Sequence, residues 1–479
     1  MHYNWLAILP EILLAGGGLA LFCAGAFWSK RPAGFLFTVA LCAVAGTGAA
    51  TLLVQSETTT FLRMVDCSGY ARFFTILFCS ISAMTLLFSH QYSSARGFGG
   101  DEFYGTIPFA TLGMILVASA VHWLIFFLGL ELLSISFYVL IPIRKDNAVS
   151  NEAGMKYLIM GVVASAFLTF GIALLYAVTG TMDIAQSLRA ETGADDVPGM
   201  ILAVGLILVG IGFKISLVPF HVWTPDVYQG APAPVTALLS TGSKVAIFAA
   251  LLRLSLHTGS GLWPFYVPVI WILAASTMVV GNLAALGQSS VKRLLAYSSV
   301  AHMGYLLMAL LALQHDGASA VMFYLSVYAI MDLGAFGLIG TLSPQEEDLD
   351  KLDDYKGIGY LYPWRSALLA ICLFSLAGLP PFAGFIGKFV LFQAALKANL
   401  ILLALIGIAA VIVSIYVYLK VVVLLYMHPA QRGLAIQKTG VCARIVCSVI
   451  LVLIIGVGLA PSPLIALIMR IVDSFKNLT

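Results

Sequence analysis

Long, uninterrupted runs of apolar residues recur along this chain, separated by short polar connections. They fall at about residues 5–28, 34–54, 71–90, 105–121, 123–142, 153–178, 199–218, 233–255, 264–287, 294–313, 318–341, 366–396, 399–427 and 443–468. A helix needs about 20 apolar residues to cross the hydrocarbon core of a bilayer. The strands of an outer-membrane barrel would instead alternate apolar and polar residues. The pattern therefore predicts an all-α polytopic membrane protein of about 14 transmembrane helices. The twelfth run is too long for a single crossing and contains Pro380-Pro381, so it predicts a helix broken near its middle. The seventh runs into Pro219, which biases Val218 away from helix and frees the Ile215 carbonyl.

Composition agrees with this picture. Of 479 residues, 61% are hydrophobic and only 10% charged, with a mean hydropathy of +1.00. A formal net charge of +3, without a basic cluster, offers no surface for nucleic acid. The first run lacks a basic leader and a small-residue cleavage site, so it is expected to be a retained helix. Lysine and arginine counts in the loops set orientation. Thirteen of them lie on one side (Lys30, Arg31, Arg96, Arg144, Lys145, Lys292, Arg293, Lys351, Lys356, Arg365, Arg432, Lys438 and Arg444), against about seven on the side of the termini. The basic side is expected to be cytoplasmic, with both termini in the periplasm or its equivalent and the chain multi-pass. The seven cysteines (23, 42, 67, 79, 372, 442 and 447) show no C-x-x-C pair. No iron–sulfur cluster, zinc site or disulfide is expected from them. Gly387-Lys388 is not a phosphate loop, because Phe382 and Phe389 occupy positions that such a loop needs for glycine and serine or threonine.

Against this apolar background a few charges stand out. Lys214, Lys244 and Lys388 lie within or at the ends of apolar runs, as do Lys156 and Glu131. A charge at the bilayer centre costs at least about 2.5–3.5 kcal/mol, and such residues mark ion or proton pathways by default. Lys244 is about mid-span, after Gly242-Ser243, where snorkelling to the interface is difficult. Lys388 follows the Pro380-Pro381 break, which frees the carbonyls of Leu376 and Ala377. Lys214 precedes Pro219, close enough to the end of its run for snorkelling to be the alternative. A lysine under the joint influence of burial and a carboxylate can switch charge near physiological pH, as a proton relay requires. Glu131, with Phe127 and Ile135 on the same helical face, is a counter-charge for Lys214 or Lys156, in a relay or in a static ion pair. His302 is a candidate to pass protons between lysines, or else a satisfied core histidine. Asp332 is a further buried acid with no partner evident in the sequence, and Lys156 opens its span. Glu11 and Lys420 are near span ends and read as interfacial.

Two segments, 201–244 and 366–388, each combine an apolar helix, a proline break and nearby lysine. Paired interrupted helices point to a transport site shared by two halves, and an odd number of spans per half implies inverted topology. The organisation expected is 1–100 for helices 1–3, 101–260 and 261–430 for two five-helix repeats, and 431–479 for the last helix. The loop PFHVWTPDVYQGAPAP carries His221, Trp223, Asp226 and Tyr228, and is expected to gate access, cap a broken helix or form an interfacial aromatic belt.

Several stretches resemble the antiporter-like membrane subunits of respiratory complex I. They are LGLELLSISFYVL at 128–140, NEAGMKYLIMGVVASAFLTFGIALLYAVTGT at 151–181, FKISLVPFHVWTPDVYQGAPAPVTALLSTGSKVAIFA at 213–249, SVKRLLAYSSVAHMGYLLM at 290–308 and SLAGLPPFAGFIGKF at 375–389. Together they span most of the chain, and lysine at 388 is similar to the N-type branch, where the M-type carries glutamate. The resemblance implies 14 helices in two inverted five-helix repeats, with helices 7 and 12 discontinuous. It implies a Glu131–Lys214 pair and a relay continuing through Lys244, His302 and Lys388. Redox events elsewhere would shift the Glu131–Lys214 pairing and so load or release protons. The chain itself would carry no cofactor; NADH, FMN, iron–sulfur clusters and quinone would bind to other subunits. Its partners would be other antiporter-like and small hydrophobic membrane subunits and the lipid bilayer. Gln229 and Asp332 depart from the family pattern, which has glutamate and an uncharged residue at those places. Alternatives are a subunit of a multi-subunit cation/proton antiporter, a scaffold of the membrane arm and, without support from the loops, a small-solute transporter.

Overall fold

Helices make up nearly all of the computed structural model, which describes residues 6–28, 32, 34–53, 59–60, 64–190, 196–258, 262–429, 436 and 439–478. Lys30, Arg31, Arg432 and Lys438, counted above for orientation, lie outside the described residues, as does Trp5 at the start of the first run. The first six crossings are α1 (Leu9–Phe27), α2 (Phe35–Leu53), α3 (Gly69–Ala95), α4 (Asp101–Ser119), α5 (Trp123–Leu140) and α6 (Ala148–Thr179). A two-residue ladder, Thr59–Thr60 with Val65–Asp66, precedes α3. After a short α7 (Ile184–Arg189), the seventh crossing is α8 (Val197–Lys214), followed by a rim helix α9 (Trp223–Gly230).

The eighth crossing is compound. It comprises α10 (Ala233–Leu238), a π-helical turn over Leu239–Ser243 and α11 (Lys244–His257). Then come α12 (Trp263–Leu286), α13 (Val291–Leu310) and α14 (Ala318–Thr341), the last entered through a second π turn at Leu313–Gly317. A 3-10 turn (Leu352–Tyr355) and a short α15 (Ile358–Leu361) lead to the broken twelfth crossing, α16 (Pro363–Ala377) and α17 (Ala383–Lys397). α18 (Ile401–Tyr426), α19 (Val441–Leu459) and α20 (Ser462–Leu478) complete the chain. Twelve segments among the described residues are long and apolar enough to cross a membrane. With α13 and the α16–α17 pair they make the fourteen crossings expected.

Several boundaries shift by a few residues, and the last run differs in kind. The last run was expected to be one helix over 443–468, but α19 stops at Leu459 and α20 starts afresh at Ser462. Pro461 and Pro463 remove two backbone donors and interrupt the hydrogen-bond ladder at that point. α20 packs Ile468, Val472 and Phe475 inward while Leu467 and Met469 remain exposed.

The layering places chemistry at the centre. Ala233–His257 is entirely buried and Leu313–Thr341 nearly so, whereas Leu9–Phe27 is mostly exposed to its surroundings. α13 is enclosed as well and packs closely on α12. A Cβ at Gly304 would lie 2.7 Å from the Met278 nitrogen, and one at Gly281 2.7 Å from the Ala301 nitrogen. Glycine lets these two backbones approach, which is how helices gain packing where lipid supplies no hydrophobic drive. The most enclosed helices are thus those carrying Lys244, His302 and Asp332.

Candidate functional site

Lys214 closes α8. The chain then turns through Ser216 in the left-handed region (φ 61°). The carbonyls left at this helix end need partners, and Trp223 supplies one by donating its indole N–H to the Phe213 carbonyl at 3.0 Å. Thr224 bonds to Ser216 at 2.7 Å, and the Val218 N–H donates to Thr277 on α12 at 3.1 Å. The aromatic loop therefore caps the seventh helix, one of the roles expected of it. The Lys214 amine is buried and donates to Ser134 on α5 at 2.5 Å.

The resemblance implied that Lys214 would pair with Glu131, yet the two form no ion pair in the structure. Ser134, three residues along the same face of α5, takes the lysine instead, and Glu131 accepts from Ser165 on α6 at 2.5 Å. Glu131 is half-buried, on a face whose neighbour Ile135 is 54% exposed. Nor does Lys156 reach Glu131. It lies 2.7 Å from both Glu152 and Asp226 at the end of its helix.

Lys244 is fully buried and is the first residue after the π turn. Its amine donates to Ser299 on α13. The Tyr328 hydroxyl lies 3.1 Å from Ser299 Oγ and 3.2 Å from both Asp332 Oδ2 and the Ser240 carbonyl. Asp332, for which the sequence offered no partner, therefore sits two hydroxyls away from Lys244. Tyr324, Tyr328 and Asp332 are spaced four apart and share one stripe of α14, a sequence signal that could have found them.

His302 lies three residues beyond Ser299 on α13. Its Nδ1 meets the Tyr324 hydroxyl, and its Nε2 is 3.1 Å from the Tyr418 hydroxyl, which also meets Ser298. Lys388, on α17, is buried and donates to the Ala377 carbonyl at 2.9 Å. That carbonyl is one of the two expected to be freed by the Pro380-Pro381 break. Gly378 ends α16 with φ 83°, and a Cβ there would lie 2.8 Å from Lys388 Cδ, so both the turn and the lysine require glycine. The Lys388 amine is 5.4 Å from the centre of the Tyr305 ring, and Asn282 donates to the Tyr305 hydroxyl at 3.1 Å. Sequence reasoning named the charges and missed their hydroxyl partners Ser134, Ser165, Ser298, Ser299, Tyr324, Tyr328 and Tyr418.

The basic rim differs in kind. Asp226 on α9 accepts from Arg293 at 2.6 Å and Lys156 at 2.7 Å. Burial alone would raise the Asp226 carboxyl, and the bonds from Lys156 and Arg293 outweigh it, so its pKa is lowered. Gln229 donates to Asp350 at 2.6 Å. Asp348 is buried against Lys292 (2.6 Å) and Arg96 (3.2 Å). There too the burial penalty is overcome, by the Lys292 and Arg96 charges, and the carboxyl is held below its usual range. Lys420 reaches the Gln288 carbonyl at 3.4 Å at this same rim.

Comparison with known proteins places this geometry. Residues 120–414 match the family described as NADH:quinone oxidoreductase/Mrp antiporter, transmembrane. The chain is 45% identical over 463 residues to NADH-quinone oxidoreductase subunit N of Geotalea uraniireducens, covering 96% of this chain and 97% of that one. It is 38% identical to the subunit of the same name from Desulforamulus reducens, covering 97% of each. Among solved structures it superposes on a chain of respiratory complex I from Thermus thermophilus with a TM-score of 0.82 at 34% identity, covering 96% of this chain and 99% of that one. A chain of the Mrp complex from Dietzia shares the fold with a TM-score of 0.86 at 20% identity, covering 99% of this chain and 98% of that one.

Proposed function

The chain belongs to the NADH:quinone oxidoreductase/Mrp antiporter family of membrane subunits, and on that premise we propose that it is an N-type, proton-translocating subunit of NADH-quinone oxidoreductase. Protons move along Lys214, Lys244, His302 and Lys388, with Glu131 and Asp332 as the acids that bias the line. The observation that carries this reading is the set of partners chosen by the buried lysines. Lys214 and Lys244 donate to serine hydroxyls, and Lys388 to a backbone carbonyl. A hydroxyl accepts from an ammonium and donates to a neutral amine, so those two lysines keep a bond in either state. His302, between two tyrosine hydroxyls, has the same two-sided capacity.

The chain supplies no continuous wire of side chains. Among the described residues no hydrogen bond joins the Lys214 cluster to the Lys244 cluster, and aromatic Tyr157, Trp223 and Tyr228 stand in that region. Water fills the gaps along a path of about 20–30 Å, the length of a crossing helix. Glu131, half-buried on an outward face, meets a neighbouring membrane subunit and senses events there. The five-helix halves 101–260 and 261–430 are inverted repeats meeting around Lys244 and His302. NADH, FMN, iron–sulfur clusters and quinone belong to other subunits of the complex. The complex lies in a bacterial inner membrane, the basic rim faces the cytoplasm, and both termini face the periplasm.

The test is NADH-driven proton pumping by inverted vesicles carrying Lys244→Ala, normalised to the amount of assembled complex. A fall of about 100-fold or more is expected for loss of an acid–base group. Pumping at the wild-type rate would leave this subunit a scaffold.

A further inference from the structure

The loop between α14 and the twelfth crossing carries a carboxylate that the lysine line does not use. Asp348 is buried, and both of its oxygens are fully engaged by three helices. Oδ1 accepts from the Tyr92 hydroxyl at 2.8 Å and from Arg96 at 3.2 Å, at the end of α3. Oδ2 accepts from Lys292, in the first turn of α13, at 2.6 Å, and from the backbone N–H of Ala233, the first residue of α10, at 3.2 Å. A carboxylate on the N–H groups of a helix start is favoured by the helix dipole.

The surroundings reinforce this junction. Arg96 stacks on the Tyr92 ring at 3.7 Å and also donates to the Pro344 carbonyl at 2.6 Å. Lys292 donates to the Ala231 carbonyl at 3.0 Å, just before α10. On the loop itself, the Leu349 N–H donates to Ser343, and Tyr355 to the Leu349 carbonyl, both at 2.9 Å. The Val291 N–H donates to the Asp350 carbonyl at 2.7 Å, and the Leu352 N–H to the Ser289 carbonyl at 2.8 Å. The loop is thus stitched to the start of α13 just after Asp348, through Asp350 and Leu352.

Two of the helices that Asp348 joins, and the helix that feeds its loop, lead to the central cluster. α10 runs through the π turn to Lys244, α13 carries Ser299 and His302, and α14, which feeds the loop, carries Tyr324, Tyr328 and Asp332. The Lys244–Ser299–Tyr328–Asp332 chain is made entirely of contacts between these three helices. A relative shift of any of them by an ångström would break it.

We propose that Asp348 is a positioning residue for the proton relay, fixing the starts of the Lys244 and His302 helices to the end of the Asp332 helix. The proposal rests on the relay reading given above. Its charge matters as well as its shape, because an uncharged side chain would leave Lys292 and Arg96 buried with neutral acceptors only and no counter-charge.

The test uses the whole complex in inverted vesicles, with pumping expressed per assembled complex. Asp348→Asn keeps the size and removes the charge. Pumping per complex is expected to fall about 10-fold, as misplacement of reacting groups does, and Asp348→Glu is expected to restore part of it. A role in stability alone would lower the amount of complex and leave pumping per complex at the wild-type rate, and that result overturns the proposal. If Asp348→Asn does not assemble, Tyr92→Phe decides, since it removes one bond to the carboxylate with almost no change in volume. A lowered rate per complex supports the proposal and an unchanged rate overturns it. Lys244→Ala run in parallel separates the two levels. If Lys244→Ala abolishes pumping and Asp348→Asn does not, only the positioning role fails; if Lys244→Ala pumps normally, the relay reading fails first.

Discussion

Two sets of cations, one in the interior and one at the basic rim, are held in opposite ways. In the membrane interior Lys214, Lys244 and Lys388 donate to Ser134, Ser299 and the Ala377 carbonyl. At the basic rim Arg96, Lys292 and Arg293 donate to the carboxylates of Asp348 and Asp226. A carboxylate partner accepts only, so a rim cation that gave up its proton would lose the charge that holds the pair together. The Ser134 and Ser299 hydroxyls have no such preference, and the Ala377 carbonyl at Lys388 only accepts but carries no charge. The rim partners therefore hold their cations charged, whereas the interior partners do not, as the proposed relay requires.

The comparison breaks most directly at Lys244. Lys244→Arg keeps a cation in place but cannot release a proton, because guanidinium stays charged. Pumping per assembled complex should fall at least about 100-fold, as for loss of an acid–base group. Near-normal pumping would show that charge alone matters there. At the rim the converse substitution, Lys292→Met, should act on stability. Removing one partner of a buried ion pair costs about 3–5 kcal/mol, seen as a lowered thermal midpoint or a reduced yield of complex on native gels. An unchanged midpoint would count against the rim as a clasp.

Smaller changes sharpen the distinction. Ser299→Ala leaves Lys244 without its hydroxyl and should slow pumping several-fold, since one buried hydrogen bond is worth about 1 kcal/mol; assembly should be unaffected. The pH response belongs to the rim. Asp348 has a lower pKa folded than unfolded, so its contribution to stability is complete above the unfolded value and drains away as pH falls through the folded one. Thermal midpoints measured down from about pH 4, the ordinary aspartate range, should decline more steeply for wild type than for Asp348→Asn. Asp226→Asn should do least, at most about 1 kcal/mol, because that cluster is one-third exposed and solvent screens it.

The crossings were legible because lipid demands length and apolarity from each one, and the helix breaks because proline acts on its immediate neighbours. The Lys388 partner was legible for the same reason, as the break and the freed Ala377 carbonyl lie within one segment. Ser299 and Tyr328 were not, since their meeting with Lys244 depends on how three distant helices pack. The Glu131–Lys214 pair was drawn from the two charges and from the resemblance, neither of which shows that Ser134 and Ser165 take these side chains separately. α20 went unseen because only two prolines interrupt an otherwise apolar stretch, and the inward and outward faces of its helix are defined by what it packs against.

The π turn ahead of Lys244 has a consequence for how this helix can vary. A π turn holds one residue more than an α turn, so everything before Leu239 is out of phase with everything after Ser243 by about 100°, the rotation per residue of an α-helix. Ala233, held at the rim, and Lys244 in the interior are thus aimed independently, with the slip between them setting the angle. Deleting one residue from Leu239–Ser243 would let the helix close into regular turns with the two ends in their present phase. Lys244 would then still face Ser299 with the rim contacts of Ala233 in place, so the turn is the one stretch of this crossing that tolerates a change of length.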